Sequence, residues 1–172
     1  EFINLSKSIL KKEKMNMGNK LMLSIDLSIS NLIQGELSSI SWSINKTKDL
    51  IKQGGINHIK KEHNRKNALV YHQLISSIYI QIKNNNHISI LEKIPHIGES
   101  HCLSFAHQSI TISSNAKRIQ PVLIKGGKAW HFANQKQNQW KDSLKQQIKN
   151  HSYSDYVFIS FGEIDCRKNE GI

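Results

Sequence analysis

The stretch IPHIGESH at residues 94–101 decides the fold that we expect for this chain. A short apolar run leads into a Gly-acid-Ser-His turn, and the residues through about Gln108 have the pattern of a helix. Strand, tight turn and helix in this order display a side chain at the carboxyl end of a parallel strand, where open α/β sheets place their ligands. We therefore predict that Ser100 lies at such a strand end.

Two further apolar runs follow at a spacing that is typical of a parallel sheet. Residues 118–127 are predicted as a second strand closed by two glycines, and residues 156–161 as a third strand. A helix is predicted between them, starting at Trp130. Continuously apolar strands joined by helices are typical of a parallel sheet covered on both faces. We predict a flavodoxin-like three-layer α/β fold, present in part with about three strands, in which the first strand lies between the other two.

The N-terminal part of the chain is predicted to be α-helical. Apolar residues recur at helical spacing over residues 17–53, with a break at Gly35 and a stop at Gly54-Gly55. Residues 21–29 also alternate as a strand would, but the helical spacing continues beyond them without a turn signal, which favours a helix. A further helix is predicted over residues 67–82.

An asparagine run at residues 84–86 separates two regions of different character. We predict an α-helical region over residues 1–86 and an α/β domain over residues 87–172 that is truncated at its C-terminal end. The helical region weakly resembles tetratricopeptide-type repeats, which offer a groove to protein partners. The positions that carry this resemblance are Ala68, Tyr71 and Tyr79. A helical domain of no particular type is the alternative.

Composition and charge exclude several classes of function. The net charge of +11 comes mainly from lysines spread along the whole chain, so we predict a solvated lysine surface and no specific nucleic-acid partner. No uninterrupted apolar stretch reaches the length of about 18 residues that a membrane span needs. Two cysteines without paired Cys/His spacing predict neither a disulfide framework nor a zinc site, and they favour a cytoplasmic location. We predict no metal and no cofactor.

The three strand-end turns resemble the blocks of the SGNH/GDSL hydrolase superfamily over about residues 93–172. The first block of that superfamily is Gly-Asp-Ser, and residues 98–100 here are Gly-Glu-Ser, with Glu99 at the position of the Asp. The second block is a glycine after the second strand, matched by Gly126-Gly127. The third block is Gly-x-Asn-Asp, and residues 162–165 here are Gly-Glu-Ile-Asp.

The resemblance implies a serine ester hydrolase or acyl-transfer enzyme that acts on an acylated carbohydrate or lipid, with Ser100 as the nucleophile. A serine hydroxyl needs a base to remove its proton, and the developing oxyanion needs aimed N–H donors. The backbone N–H groups of Ser100 and of Gly126 or Gly127 are the candidate donors, because glycine lets the main chain approach closely. Asp165 and Arg167 are the candidates from the third turn.

Two departures from the superfamily pattern bear on activity. Ile164 stands where the superfamily has an Asn that donates to the oxyanion, a role for which Arg167 could compensate. The Asp-x-x-His block that supplies the base does not occur in this sequence, and His101 adjoins Ser100 in a position poorly suited to accept its proton. We therefore expect a fragment without its own base. A non-catalytic module that binds a protein or a glycan is the alternative.

Several of these residues also have purely structural interpretations. Ser100 could cap the helix that follows it, since serine is a common N-cap residue. Asp165 could cap a turn or pair with Arg167. Cys102 and Cys166 are expected to be buried, unreactive thiols, and a disulfide or metal pair between them is the alternative.

Overall fold

The chain divides into two units, Glu1–Asn85 and Asn86–Ile172, in the computed structural model. Among the residues whose structure is described, no helix combines the length and the apolar character needed to cross a bilayer. The described residues are 4, 8–10, 14–84, 91–134, 136–151, 155–162 and 164–166.

The described part of the first unit contains three long helices. They are α1 (Met17–Gln34), α2 (Leu37–Lys52) and α3 (Glu62–Lys83), with a short 3-10 helix at Gly55–His58 before α3. The predicted break at Gly35 is confirmed, because this residue adopts a left-handed φ of 76° and closes α1. The predicted start of the third helix was wrong by five residues, since its polar first turn is already helical.

The core of the first unit resolves the ambiguous stretch 21–29. This stretch is helical, and its Leu21 and Leu27 side chains are fully buried, together with Ile40 on α2 and Ile75 on α3. A strand would have placed all of its alternating apolar residues on one face. Burial against two further helices therefore selects the helical period that continues beyond the stretch.

Hydroxyl groups lie inside the contact between α1 and α2. The oxygens of Ser24 and Thr47 are 2.7 Å apart, while Thr47 also donates to the Ser43 carbonyl and Ser28 to the Ser24 carbonyl. A buried hydroxyl without a partner costs about 1–3 kcal/mol. Mutual hydrogen bonding removes that cost and lets the two helices pack closely through small side chains.

The second unit contains a four-stranded sheet in the order β2-β3-β1-β4. The strands are β1 (Lys93–Gly98), β2 (Ser109–Ile112), β3 (Asn115–Leu123) and β4 (Phe158–Ser160). Strand β1 pairs in parallel with both β3 and β4, so the predicted α/β class and the central position of the first strand are confirmed. Strand β2, which pairs antiparallel with β3, was not predicted.

The helix predicted from the Ser100 turn to about Gln108 was wrong. The chain forms only a 3-10 helix, Ser100–Phe105, and then turns at His107, which adopts a φ of 59°. The His107 N–H donates to the Ile119 carbonyl at 2.8 Å, which directs the chain into β2. Pairing with β3 therefore replaces the expected first crossover helix by a hairpin.

The helix predicted from Trp130 onwards is divided in two. Helix α4 spans Ala129–Ala133, and α5 spans Gln139–Asn150. The break occurs because Asn138 caps α5, its side chain accepting from the N–H groups of Trp140 and Lys141. Ile97, Val122 and Ile124 form a buried apolar cluster. The partly buried side chains that pack against this cluster are Phe132, Trp140, Leu144 and Phe161.

Candidate functional site

The three strand-end turns begin beside one another at the carboxyl edge of the parallel strands. The Ile124 N–H donates to the Gly98 carbonyl at 2.8 Å, and the Glu99 N–H donates to the Ser160 carbonyl at 3.3 Å. These two backbone bonds join the end of β1 to the ends of β3 and β4. The first turn is thus held from both sides, as parallel pairing of a central strand requires.

The side chains of the first turn form a cluster around the carboxylate of Glu99. This side chain is only 2% exposed. Its Oε2 accepts from the Ser100 hydroxyl at 3.1 Å, and its Oε1 accepts from Nδ1 of His101 at 2.7 Å. A buried carboxylate needs such partners, because burial without them costs several kcal/mol. These two hydrogen bonds fix the side chains of Ser100 and His101.

The geometry of this cluster is related to that of a hydrolytic triad but differs from it in one respect. In a Ser-His-acid triad, the carboxylate holds Nδ1 of the histidine while Nε2 faces the serine. The carboxylate–Nδ1 contact is present between Glu99 and His101. The Ser100 hydroxyl, however, bonds to the same carboxylate rather than to the imidazole. The N-cap interpretation of Ser100 was wrong, since Glu99 is the N-cap of the 3-10 helix and no side chain caps it.

The two glycines of the second turn differ in their surroundings. Gly126 is exposed and adopts a φ of 73°, which favours glycine. Gly127 is buried, and its N–H donates to the Ile124 carbonyl at 3.1 Å. A Cβ atom at Gly127 would lie 3.3 Å from the Phe132 ring. Close packing therefore accounts for glycine at this second position, and its N–H already has an acceptor within the turn.

The third turn is joined to the helix that follows the second turn. The Asp165 carboxylate accepts from the N–H of Ala129 at 2.8 Å and from that of Trp130 at 3.4 Å. Asp165 therefore caps the first turn of α4. This contact agrees with the interpretation that Asp165 caps a turn. Arg167 lies outside the described residues. The backbone of Ile164 begins a short 3-10 helix, Ile164–Cys166.

A second polar pair, which was not predicted from the sequence, lies in the sheet itself. Nε2 of His96 on β1 lies 2.8 Å from Oγ of Ser160 on β4. Burial lowers the pKa of His96, and its ring contacts those of Phe105 and Phe158. The available signal was a histidine within an otherwise apolar run that was predicted to be a buried strand, because a buried polar side chain requires a partner.

The expectation of two buried, unreactive thiols holds for Cys102 and was wrong about the burial of Cys166. Both are free thiols, Cys102 buried and Cys166 exposed. Burial raises the pKa of Cys102 to about 12, so its thiol stays protonated at neutral pH. Within the described part of the chain, no three His, Cys, Asp or Glu side chains come together as a metal site would require.

No protein-family model, curated protein or solved structure matches this chain. Its function has to be inferred from the side chains at the carboxyl edge of the sheet.

Proposed function

We propose that the α/β unit carries the nucleophile of a serine ester hydrolase or acyl-transfer site that resembles those of the SGNH/GDSL superfamily. Ser100 is the nucleophile in this proposal. The observation that supports it most is the position of the Glu99 carboxylate, which bonds both Ser100 and His101 at the carboxyl end of the central strand. The substrate class implied by the resemblance is an acylated carbohydrate or lipid.

The chemistry requires Ser100 Oγ to form a bond to the ester carbonyl carbon while its proton passes to a base. The proton points at Glu99 Oε2 in this structure. A carboxylate is a much weaker base than an imidazole, whose ordinary pKa lies near neutral pH. Reaction of Ser100 through this contact is therefore expected only with activated electrophiles, whose leaving groups need no protonation. Fluorophosphonates would phosphonylate Ser100 with loss of fluoride, and nitrophenyl esters would acylate it with loss of nitrophenolate.

A fluorophosphonate probe tests this proposal on the intact chain. Wild-type protein is expected to become labelled at Ser100, and Ser100→Ala is expected to lose that label. Ser104→Ala, on the same 3-10 helix, serves as the matched control and should keep it. Glu99→Gln should slow labelling, because the amide no longer accepts a proton. Folded wild-type protein that acquires no label at Ser100 would contradict the proposal.

A non-catalytic protein-binding role of the helical unit is the second candidate. The observation that favours it is the exposure of apolar side chains on α3, where Val70 is 59% exposed and Ile80 is 60% exposed. A contiguous apolar patch marks a surface that binds other proteins, and in this role α3 would carry such a patch. Absence of labelling in folded protein would favour this role. The free thiols of the chain support a cytoplasmic location for either function.

A further inference from the structure

His96 and Ser160 form a hydrogen-bonded pair that the proposed function does not use. They face one another from neighbouring parallel strands, with 2.8 Å between Nε2 and Oγ. His96 is 7% exposed, whereas Ser160 is only partly buried. The pair therefore combines an imidazole shielded from water with a serine that is partly exposed.

The imidazole of His96 is neutral, as a base must be before it takes up a proton. Burial lowers its pKa below the ordinary value, so the ring is neutral at neutral pH. In the tautomer that protonates Nδ1, the Nε2 lone pair accepts from the Ser160 hydroxyl. This is the contact by which a histidine activates a serine, whereas the Ser100 hydroxyl bonds to a carboxylate.

Glycine at position 98 leaves room for the Ser160 hydroxyl, and two phenylalanine rings form apolar walls beside its partner His96. A Cβ atom at position 98 would lie 2.5 Å from Ser160 Oγ, so glycine is what allows the hydroxyl to occupy this place. The rings of Phe105 and Phe158 lie 5.8 Å and 6.2 Å from the His96 ring. Both phenylalanines are exposed in part, Phe105 by 51%. Such walls suit an aryl or short acyl group.

We propose that Ser160 and His96 form a second hydroxyl-activating dyad, which reacts with small esters that carry an apolar acyl or aryl group. Ser160 Oγ forms a bond to the carbonyl carbon, and its proton passes to Nε2 of His96. The bond from that carbon to the alcohol oxygen then breaks, and the alcohol leaves with the proton from Nε2. Water then forms a bond to the acyl carbon while its proton passes to Nε2 of His96. The bond from that carbon to Ser160 Oγ breaks, the acid leaves, and Oγ takes the proton from Nε2. This inference does not depend on Ser100.

Labelling with an aryl fluorophosphonate, followed by peptide mapping, tests the dyad separately from the proposed function. Trypsin cleavage after Lys93 and Lys149 places Ser100 and Ser160 in different peptides. Modification of Ser160 that Ser160→Ala abolishes supports the dyad. Modification of Ser100 alone overturns the dyad and leaves the proposed function standing. Modification of Ser160 alone supports the dyad and overturns the proposed function. Folded protein that stays unlabelled at both serines overturns the dyad and the proposed function.

Two variants test the parts of the dyad. His96→Gln keeps a hydrogen bond to Ser160 but removes the base, so labelling of Ser160 should slow by about 100-fold. An unchanged rate in folded His96→Gln overturns the role of His96. Phe105→Ala, at an exposed position, keeps the proposal testable if His96→Gln fails to fold. The Phe105→Ala substitution should slow labelling by an aryl fluorophosphonate several-fold more than labelling by an ethyl fluorophosphonate. If the ratio of the two labelling rates stays as in wild type, the apolar lining is overturned.

Discussion

The carboxylate of Asp165 accepts a hydrogen bond from the backbone N–H of Ala129 at 2.8 Å, across 36 positions of sequence. Its second oxygen accepts from Trp130 at 3.4 Å. The turn after β4 thereby supplies the cap of α4, the helix that follows β3. A residue whose place in the sequence suggested a catalytic motif has a structural role that its contacts define.

Asp165→Ala should lower the free energy of unfolding of the α/β unit by about 1–2 kcal/mol, because two N–H groups of α4 lose their acceptor. Urea unfolding followed by tryptophan fluorescence measures this change. Trp42→Phe as the background confines the signal to Trp130 and Trp140. Asp155→Ala, at an exposed position shortly before β4, is the control. Equal effects of the two substitutions would argue against the cap.

Gly98→Ala should destabilise the α/β unit by about 2 kcal/mol or more, because the added methyl group overpacks the contact between β1 and β4. Its Cβ would lie 2.5 Å from Oγ and 2.7 Å from the carbonyl oxygen of Ser160. Adding Ser160→Ala removes only the first of these contacts, so the double variant should recover little stability. Full recovery in urea unfolding would show that the backbone contact is not limiting.

The stability of the α/β unit should fall on acidification in part because of His131. Burial lowers the pKa of His131 below the ordinary 6.5, and its Nδ1 accepts from the Lys128 N–H at 2.9 Å. Below about pH 6.5 the unfolded chain binds a proton that the folded ring does not, so the free energy of unfolding decreases until the folded ring is protonated too.

His131→Gln is expected to reduce this loss of stability, because glutamine can accept from Lys128 and does not titrate. Urea midpoints between about pH 7 and pH 5 measure the effect. His96, whose pKa burial also lowers, contributes with the same sign and remains in the variant. His63→Gln, at an exposed position, is the control. A pH dependence identical to that of wild type would exclude His131 as a contributor.

The helical unit offers a matched pair of substitutions on α3. Ile75 is fully buried, whereas Ile80 is 60% exposed. Ile75→Ala should lower the free energy of unfolding by about 2–5 kcal/mol, because it removes buried methyl groups and leaves a cavity. Ile80→Ala should change it by no more than about 0.5 kcal/mol. Urea unfolding followed by circular dichroism measures both, and similar effects would place the core elsewhere on α3.

Features that depend on neighbours in sequence could be predicted well. The break at Gly35 follows from the left-handed conformation that glycine adopts at low cost, and the chain has that conformation there. The apolar runs around Ile97, Val122 and Ile159 predicted three parallel strands with the first in the centre. The break and the strands rest on the period or the turn chemistry of short segments, whereas the central position of the first strand came from the flavodoxin-like strand order.

The side-chain partners could not be predicted, because they depend on strand register and on turns that long-range pairing imposes. The bond from His107 to Ile119 replaces a predicted helix by a hairpin. The register of β1 with β4 brings Ser160 against His96. The sequence by itself therefore determined the helical unit, the parallel strands and the position of Ser100 at a strand end. Only the tertiary structure decided which groups bond to one another there, since hydrogen bonds between distant residues form where packing places them.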